Sequence, residues 1–150
     1  MMLRRHCLFL LPAAMSAAVR GDEVMYVGGT ITEVPEATEG YLETTDQTAV
    51  LFMSPKGSFK IPYKGITSLE YGQKAGRRVG VAIVITVWAL FSKKRKHFLT
   101  VGYKDEKNVA QGVVLELPKG RPKSIITIFE ARSGQKCEYE SEEARKHVHG

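Results

Sequence analysis

The stretch Val50-Leu-Phe-Met-Ser-Pro-Lys-Gly-Ser-Phe-Lys-Ile-Pro-Tyr63 decides the fold class. Phe59, Ile61 and Tyr63 alternate with Lys60 and Pro62, the period of two that gives a strand one apolar face. Val50 to Met53 is a second apolar run. Between the two lies Ser54-Pro55-Lys56-Gly57, where proline presets φ at the second turn position and glycine accepts positive φ at the exit. A hairpin follows. Toward the N-terminus, Met25 to Ile31 is a candidate strand whose Gly28-Gly29 pair marks a bulge or a close backbone approach. Tyr41 to Thr45 precedes the polar turn Asp46-Gln47-Thr48, and Ile66 to Tyr71 follows the hairpin. Phe98 to Tyr103 and Val109 to Leu117 flank a charged tip, Lys104-Asp105-Glu106-Lys107-Asn108. Short apolar runs at this spacing predict an antiparallel, mainly β fold between Val24 and Leu117.

Beyond that region the period changes. Ile125, Ile128, Phe129 and Arg132 fall at helical spacing, Pro122 suits a first helical turn, and Gly134 is placed for a C-terminal cap. The repeated Ile and Thr would also suit a strand, but the end signals favour a helix over Pro122 to Arg132. Lys136 to Tyr139 is a candidate last strand. Residues 140–150 read as a polar, charged tail with no face to bury.

A chain of 150 residues with 43% apolar and 25% charged residues is one ordinary folded domain, which excludes global disorder. Cys7 and Cys137 are the only cysteines, too few for a disulfide framework or a cysteine-rich zinc module. The formal charge of +6 points to acidic partners such as anionic lipid or nucleic acid. Residues 1–18 read as a secretory signal: Arg4, Arg5 and His6 precede the apolar run from Cys7 to Met15, and Ser16-Ala17-Ala18 supplies small residues for cleavage before Val19. The alternative is a later start at Met15 or Met25. Processing leaves 20 bases against 16 acids, a milder +4, and an exported protein that is periplasmic or peripheral to a membrane.

One segment breaks the β pattern. Arg77-Arg78 is followed by 13 uncharged residues, Val79 to Phe91, then by Ser92 and Lys93-Lys94-Arg95-Lys96. As a helix the uncharged run would be roughly 20 Å long, short of roughly 30 Å of bilayer hydrocarbon. Four readings compete: a buried core element, suggested by its Val, Ile and Thr; a re-entrant or interfacial membrane contact; a thin spanning helix; and a patch for a protein partner. The flanking bases and Trp88 are headgroup-boundary residues, which the core reading leaves unexplained. Gly72, Gly76 and Gly80 recur every four residues, as on a helix face or in a loop leaving a strand.

Chemistry-bearing motifs are missing. There is no Gly-x-Ser-x-Gly nucleophile turn, and Gly72-Gln-Lys-Ala-Gly76 lacks the context of a phosphate loop. His147 and His149 read as a solvated pair, while Asp46, Glu140, Glu142 and Glu143 read as exposed carboxylates. No catalytic residue, metal ligand or cofactor is expected. Lys93 to Lys96 would suit nucleic acid in a cytosolic protein, but the export signal and adjoining apolar run argue for a different partner.

In order, Glu39-Gly-Tyr-Leu-Glu-Thr-Thr-Asp46, Val50-Leu-Phe52 and Ile61-Pro-Tyr-Lys-Gly-Ile-Thr-Ser-Leu-Glu-Tyr71 resemble the opening of bacterial pleckstrin-homology-like and GRAM-like domains. Phe98 to Tyr103, Val113 to Leu117 and the terminal helix fit the same plan, so the likeness covers about Gly40 to Gly134. The chain also resembles a family of exported bacterial proteins. The resemblance implies a sandwich or open barrel of two nearly orthogonal antiparallel sheets, closed by a C-terminal helix, within a single domain of residues 19–139. Two departures matter. Asp46-Gln47-Thr48 lacks the bases of the inositol-phosphate-binding hairpin, and residues 72–97 form a hydrophobic-basic insertion.

The expectation is a non-catalytic exported module that binds an anionic membrane surface or a membrane-associated protein, with no nucleic-acid role. Arg77, Arg78, Val84, Trp88, Phe91, Lys93, Lys94, Arg95 and Lys96 would make the contact. A periplasmic small-ligand carrier, or an enzyme with its site in the sheet sandwich, is the alternative. Intact-mass measurement of protein from its native host should give a chain starting at or near Val19; a cytosolic product starting at Met1 would remove the export reading.

Overall fold

The computed structural model describes residues 22–72, 97–118 and 122–149. They form strands β1 (Asp22–Gly29), β2 (Thr38–Glu43), β3 (Ala49–Ser54), β4 (Gly57–Pro62), β5 (Ile66–Gly72), β6 (Phe98–Lys104), β7 (Ala110–Glu116) and β8 (Cys137–Tyr139). A 3-10 turn, Tyr63–Gly65, joins β4 to β5, and the helices are α1 (Pro122–Ser133) and α2 (Glu142–His149). The signal segment 1–18 and the residues Arg77, Arg78, Val84, Trp88, Phe91 and Lys93 to Lys96 lie outside the described residues.

All eight strands hydrogen-bond into one mixed sheet, in the order β4-β3-β2-β1-β7-β6-β5-β8. Every pair is antiparallel except β5 with β8. The hydrogen bonding is thus continuous instead of divided between two sheets, because β1 pairs with β2 over Asp22–Tyr26 and with β7 over Met25–Gly29. Between Tyr26 and Gly28 the register with β7 shifts. The glycine pair serves both purposes expected of it: a Cβ on Gly29 would stand 2.2 Å from the Gly112 carbonyl oxygen.

The connection between β4 and β5 dictates the curvature. These strands sit six places apart in the order, which in a flat sheet is roughly 29 Å. Three residues link them, and the four Cα steps from Pro62 to Ile66 reach at most about 15 Å. The sheet must therefore roll toward itself. Its inner face collects alternate residues of each strand, with Phe52 and Phe59 stacked at 5.0 Å and Tyr26 set edge-on to Phe59 at 5.3 Å. Gly40 makes room for this group, since a Cβ there would lie 2.6 Å from the Phe52 ring. Tyr26 donates its hydroxyl to the Ile31 carbonyl at 3.0 Å, which satisfies the one polar atom of the trio.

The α1 segment is helical, as its end signals predict, and Gly134 follows it at φ 76° with its N–H bonded to Glu130 O at 3.0 Å. Pro122, Ile125, Ile126 and Phe129 are buried on one side of the helix. The helix packs over the 3-10 turn, where Phe129 meets Tyr63 edge-on at 6.1 Å. Arg132 fastens this contact by donating to the Thr44 carbonyl at 2.6 Å and the Tyr63 hydroxyl at 3.2 Å, with its guanidinium over the Tyr63 ring.

Residues 142–149 correct the reading of a tail without an apolar face. Ala144 and Val148, four apart, are buried under α2. Ser141 Oγ accepts the Ala144 N–H at 3.1 Å as the cap, acids occupy the first turn and bases the last, which suits the helix dipole.

Replacing Arg132 with Met keeps much of the side-chain volume and removes the hydrogen bonds to Thr44 and Tyr63. Urea unfolding should show a loss of about 1.5–3 kcal/mol, the range for hydrogen bonds from a charged donor; an unchanged midpoint would show that α1 is held by apolar packing alone.

Candidate functional site

The pairing of β5 with β6 continues to Gly72 opposite Phe98. The two ends of the hydrophobic-basic insertion therefore lie side by side at one end of the sheet. A single bilayer crossing would place those ends roughly 30 Å apart, so the thin spanning helix conflicts with the observed pairing. No helix among the described residues is long and apolar enough to cross a membrane.

At this root a ring cluster assembles from three elements. His97 stacks on Tyr71 at 5.5 Å and on His147 at 4.8 Å, with ring planes inclined by 13° and 20°. His147 also lies parallel to Tyr71 at 6.3 Å. Next to them, Tyr139 meets His149 edge-on, with its hydroxyl 2.9 Å from His149 Nε2. Gly72 lets the chain after β8 approach, because a Cβ there would collide with the Glu140 side chain. The Glu140 N–H bonds to Tyr71 O at 3.1 Å, extending the β5–β8 ladder by one step.

Burial holds His97 below the usual histidine pKa, and the neighbouring His147 adds to this, while Glu143 and Glu140 act in the opposite direction. Burial pushes Tyr71 and Tyr139 up to about 12. The same cause raises the Cys137 thiol to about 12, which makes this buried sulfur a poor nucleophile.

Contact with His97 and Tyr139 is left out by the reading of His147 and His149 as a solvated pair. Both are exposed, yet they make these ring contacts because α2 docks through Ala144 and Val148. The pattern Ser141-Glu142-Glu143-Ala144, with a second apolar residue at 148, was the available signal for that helix.

The other candidates carry less chemistry. A cleft of about 550 Å³ lies between the Thr30–Glu33 loop, β4 and the β6–β7 tip. Three of its charges are committed to one another or to the backbone: Lys60 pairs with Glu106 at 2.9 Å, and the Asp105 carboxylate accepts the Lys107 and Val109 N–H groups, each at 2.9 Å. Those bonds hold Asp105 below the usual carboxylate range. Asp46 is lowered similarly by Thr48 in the β2–β3 turn. Among the described residues no group of three or more His, Cys, Asp or Glu side chains is placed to hold a metal ion. No protein-family model matches the chain, and no curated protein matches it.

Because His97 is depressed, the folded state favours its neutral form. Its contribution to stability is present above the ordinary histidine value near 6.5 and is lost as pH falls through that value toward the lowered one. Thermal melting from pH 7.5 to 5 should show a steeper fall for the parent than for His97→Gln; identical slopes would mean that this imidazole does not sense folding.

Proposed function

We propose that the protein is a non-catalytic, exported binding module of pleckstrin-homology-like fold that associates with an anionic membrane surface through residues 77–97. The curled antiparallel order from β4 to β5, closed by the helix that follows β7, supports the family-level fold.

Charge distribution is the observation that carries the membrane reading. All 16 acids and ten of the 22 bases fall within the described residues, giving that part of the chain a formal −6. Residues 73–96 hold seven bases, no acid and the uncharged run. An acidic domain repels an anionic surface, so the basic segment is the part able to approach one. Its two ends enter at adjacent positions of one sheet, which is how an excursion leaves a domain and returns on the same side. Bases flanking an apolar run then combine headgroup attraction with shallow burial.

Each base near an anionic surface contributes about 1 kcal/mol at low salt, so Lys93 to Lys96 together supply up to about 4 kcal/mol before screening. Replacing those four with Gln should release the protein from anionic vesicles in co-sedimentation. Val84→Asp should weaken vesicle binding without lowering the melting temperature. If the Gln variant binds like the parent and Val84→Asp only destabilises, the segment is core and the membrane proposal fails. Binding to native membranes that disappears after protease stripping, with none to lipid vesicles, would assign the surface to a membrane-associated protein.

A further inference from the structure

We propose that His97, His147 and His149 form an acid-responsive part of the same surface, strengthening its hold on anionic lipid headgroups as pH falls. This rests on the membrane reading, because His97 directly follows the last base of the segment.

Three features of the geometry support it. The rings belong to the residue just before β6 and to α2, and they meet at the point where β5 and β6 release the segment. His147 and His149 are exposed, so an anion can reach them, and His97 is half-buried beneath His147. The stack leaves two imidazoles 4.8 Å apart, a separation at which two imidazolium ions repel. Charging both is therefore unfavourable alone and is relieved by a nearby anion. By linkage, an anion that prefers the charged pair binds more tightly as protons become available.

The surrounding groups set the sign. Tyr71 faces the pair from β5, and Tyr139 faces His149 from β8. Glu140 and Glu143 face His97 from the turn and from α2. Arg145 acts on Tyr139, and Glu142 and Lys146 complete the charges of α2. With neutral histidines the group Glu140, Glu142, Glu143, Arg145 and Lys146 has one net negative charge. Protonation of the three histidines turns this into two net positive charges. The root changes from repelling a headgroup layer to attracting it, beside a segment that is basic at every pH in question.

Co-sedimentation with phosphatidylglycerol/phosphatidylcholine vesicles at pH 7.5 and 5.5, at constant ionic strength, tests the proposal. The phosphodiester charge is the same at both values. The chain from Val19 onward should need roughly tenfold less lipid for half-binding at pH 5.5, and the His147→Gln/His149→Gln variant should lose most of that gain. If this double variant fails to melt cooperatively, the exposed single variants His147→Gln and His149→Gln take its place. An NMR titration of the parent should also show the histidine midpoints rising when the anionic vesicles are added.

Binding at pH 7.5 with no gain at 5.5, or an equal gain in the variants, overturns this inference and leaves the membrane reading standing. Binding only at pH 5.5 that the variants lose supports the histidines and removes the basic segment as sufficient. No binding at either pH overturns both.

Discussion

The short link from Pro62 through Tyr63–Gly65 to Ile66 is the constraint on which the rest of the architecture depends. It joins strands that stand six places apart in the sheet order, so the sheet cannot be flat. Curling brings Tyr26, Phe52 and Phe59 together inside, and it leaves the 3-10 turn as the place where the roll must be covered. Phe129 and Arg132 do this from α1. The ring supplies apolar contact, while the guanidinium ties Tyr63 to the β2–β3 turn through the Thr44 carbonyl. Even the tight approach at Gly65 belongs to this arrangement, since a Cβ there would stand 2.3 Å from the Lys104 carbonyl oxygen.

The same roll determines where the sheet remains accessible. One edge, β4, carries Lys60, whose pairing with Glu106 bridges to the β6–β7 tip, and a charge at such a position discourages pairing with another chain. The other side is occupied over Leu69–Tyr71 by β8, the one parallel addition among the described residues. β8 in turn delivers α2 to the end of β5 and β6. The histidine cluster is a consequence of edge protection: the strand that covers β5 is followed directly by the helix whose histidines reach His97.

Charge is arranged along similar lines. The described residues carry a net negative charge, and the remaining 12 bases lie near the N-terminus, between β5 and β6, and just before α1. This makes the total of +6 a poor guide to how the domain surface meets a partner. A surface of mixed sign has an orientation in an electric field, and here the adjacent ends at Gly72 and Phe98 define the direction from which the basic segment departs.

Most strands are legible in the sequence, because the alternation of apolar residues and the turn chemistry of Pro55 and Gly57 act over a few neighbours. So is α1, whose Pro122 start and Gly134 stop are local signals strong enough to overcome the β-branched residues between them. That β1 joins both halves into one sheet is a property of the folded chain, since a strand's second partner comes from segments far apart in sequence. α2 was legible only in part: two apolar residues in an otherwise polar stretch become a buried face when β8 supplies a surface to cover. The meeting of His97 with His147 was out of reach for the same reason. Fifty residues separate them, and their stacking follows from the pairing of β8 with β5, which no local pattern in either segment encodes.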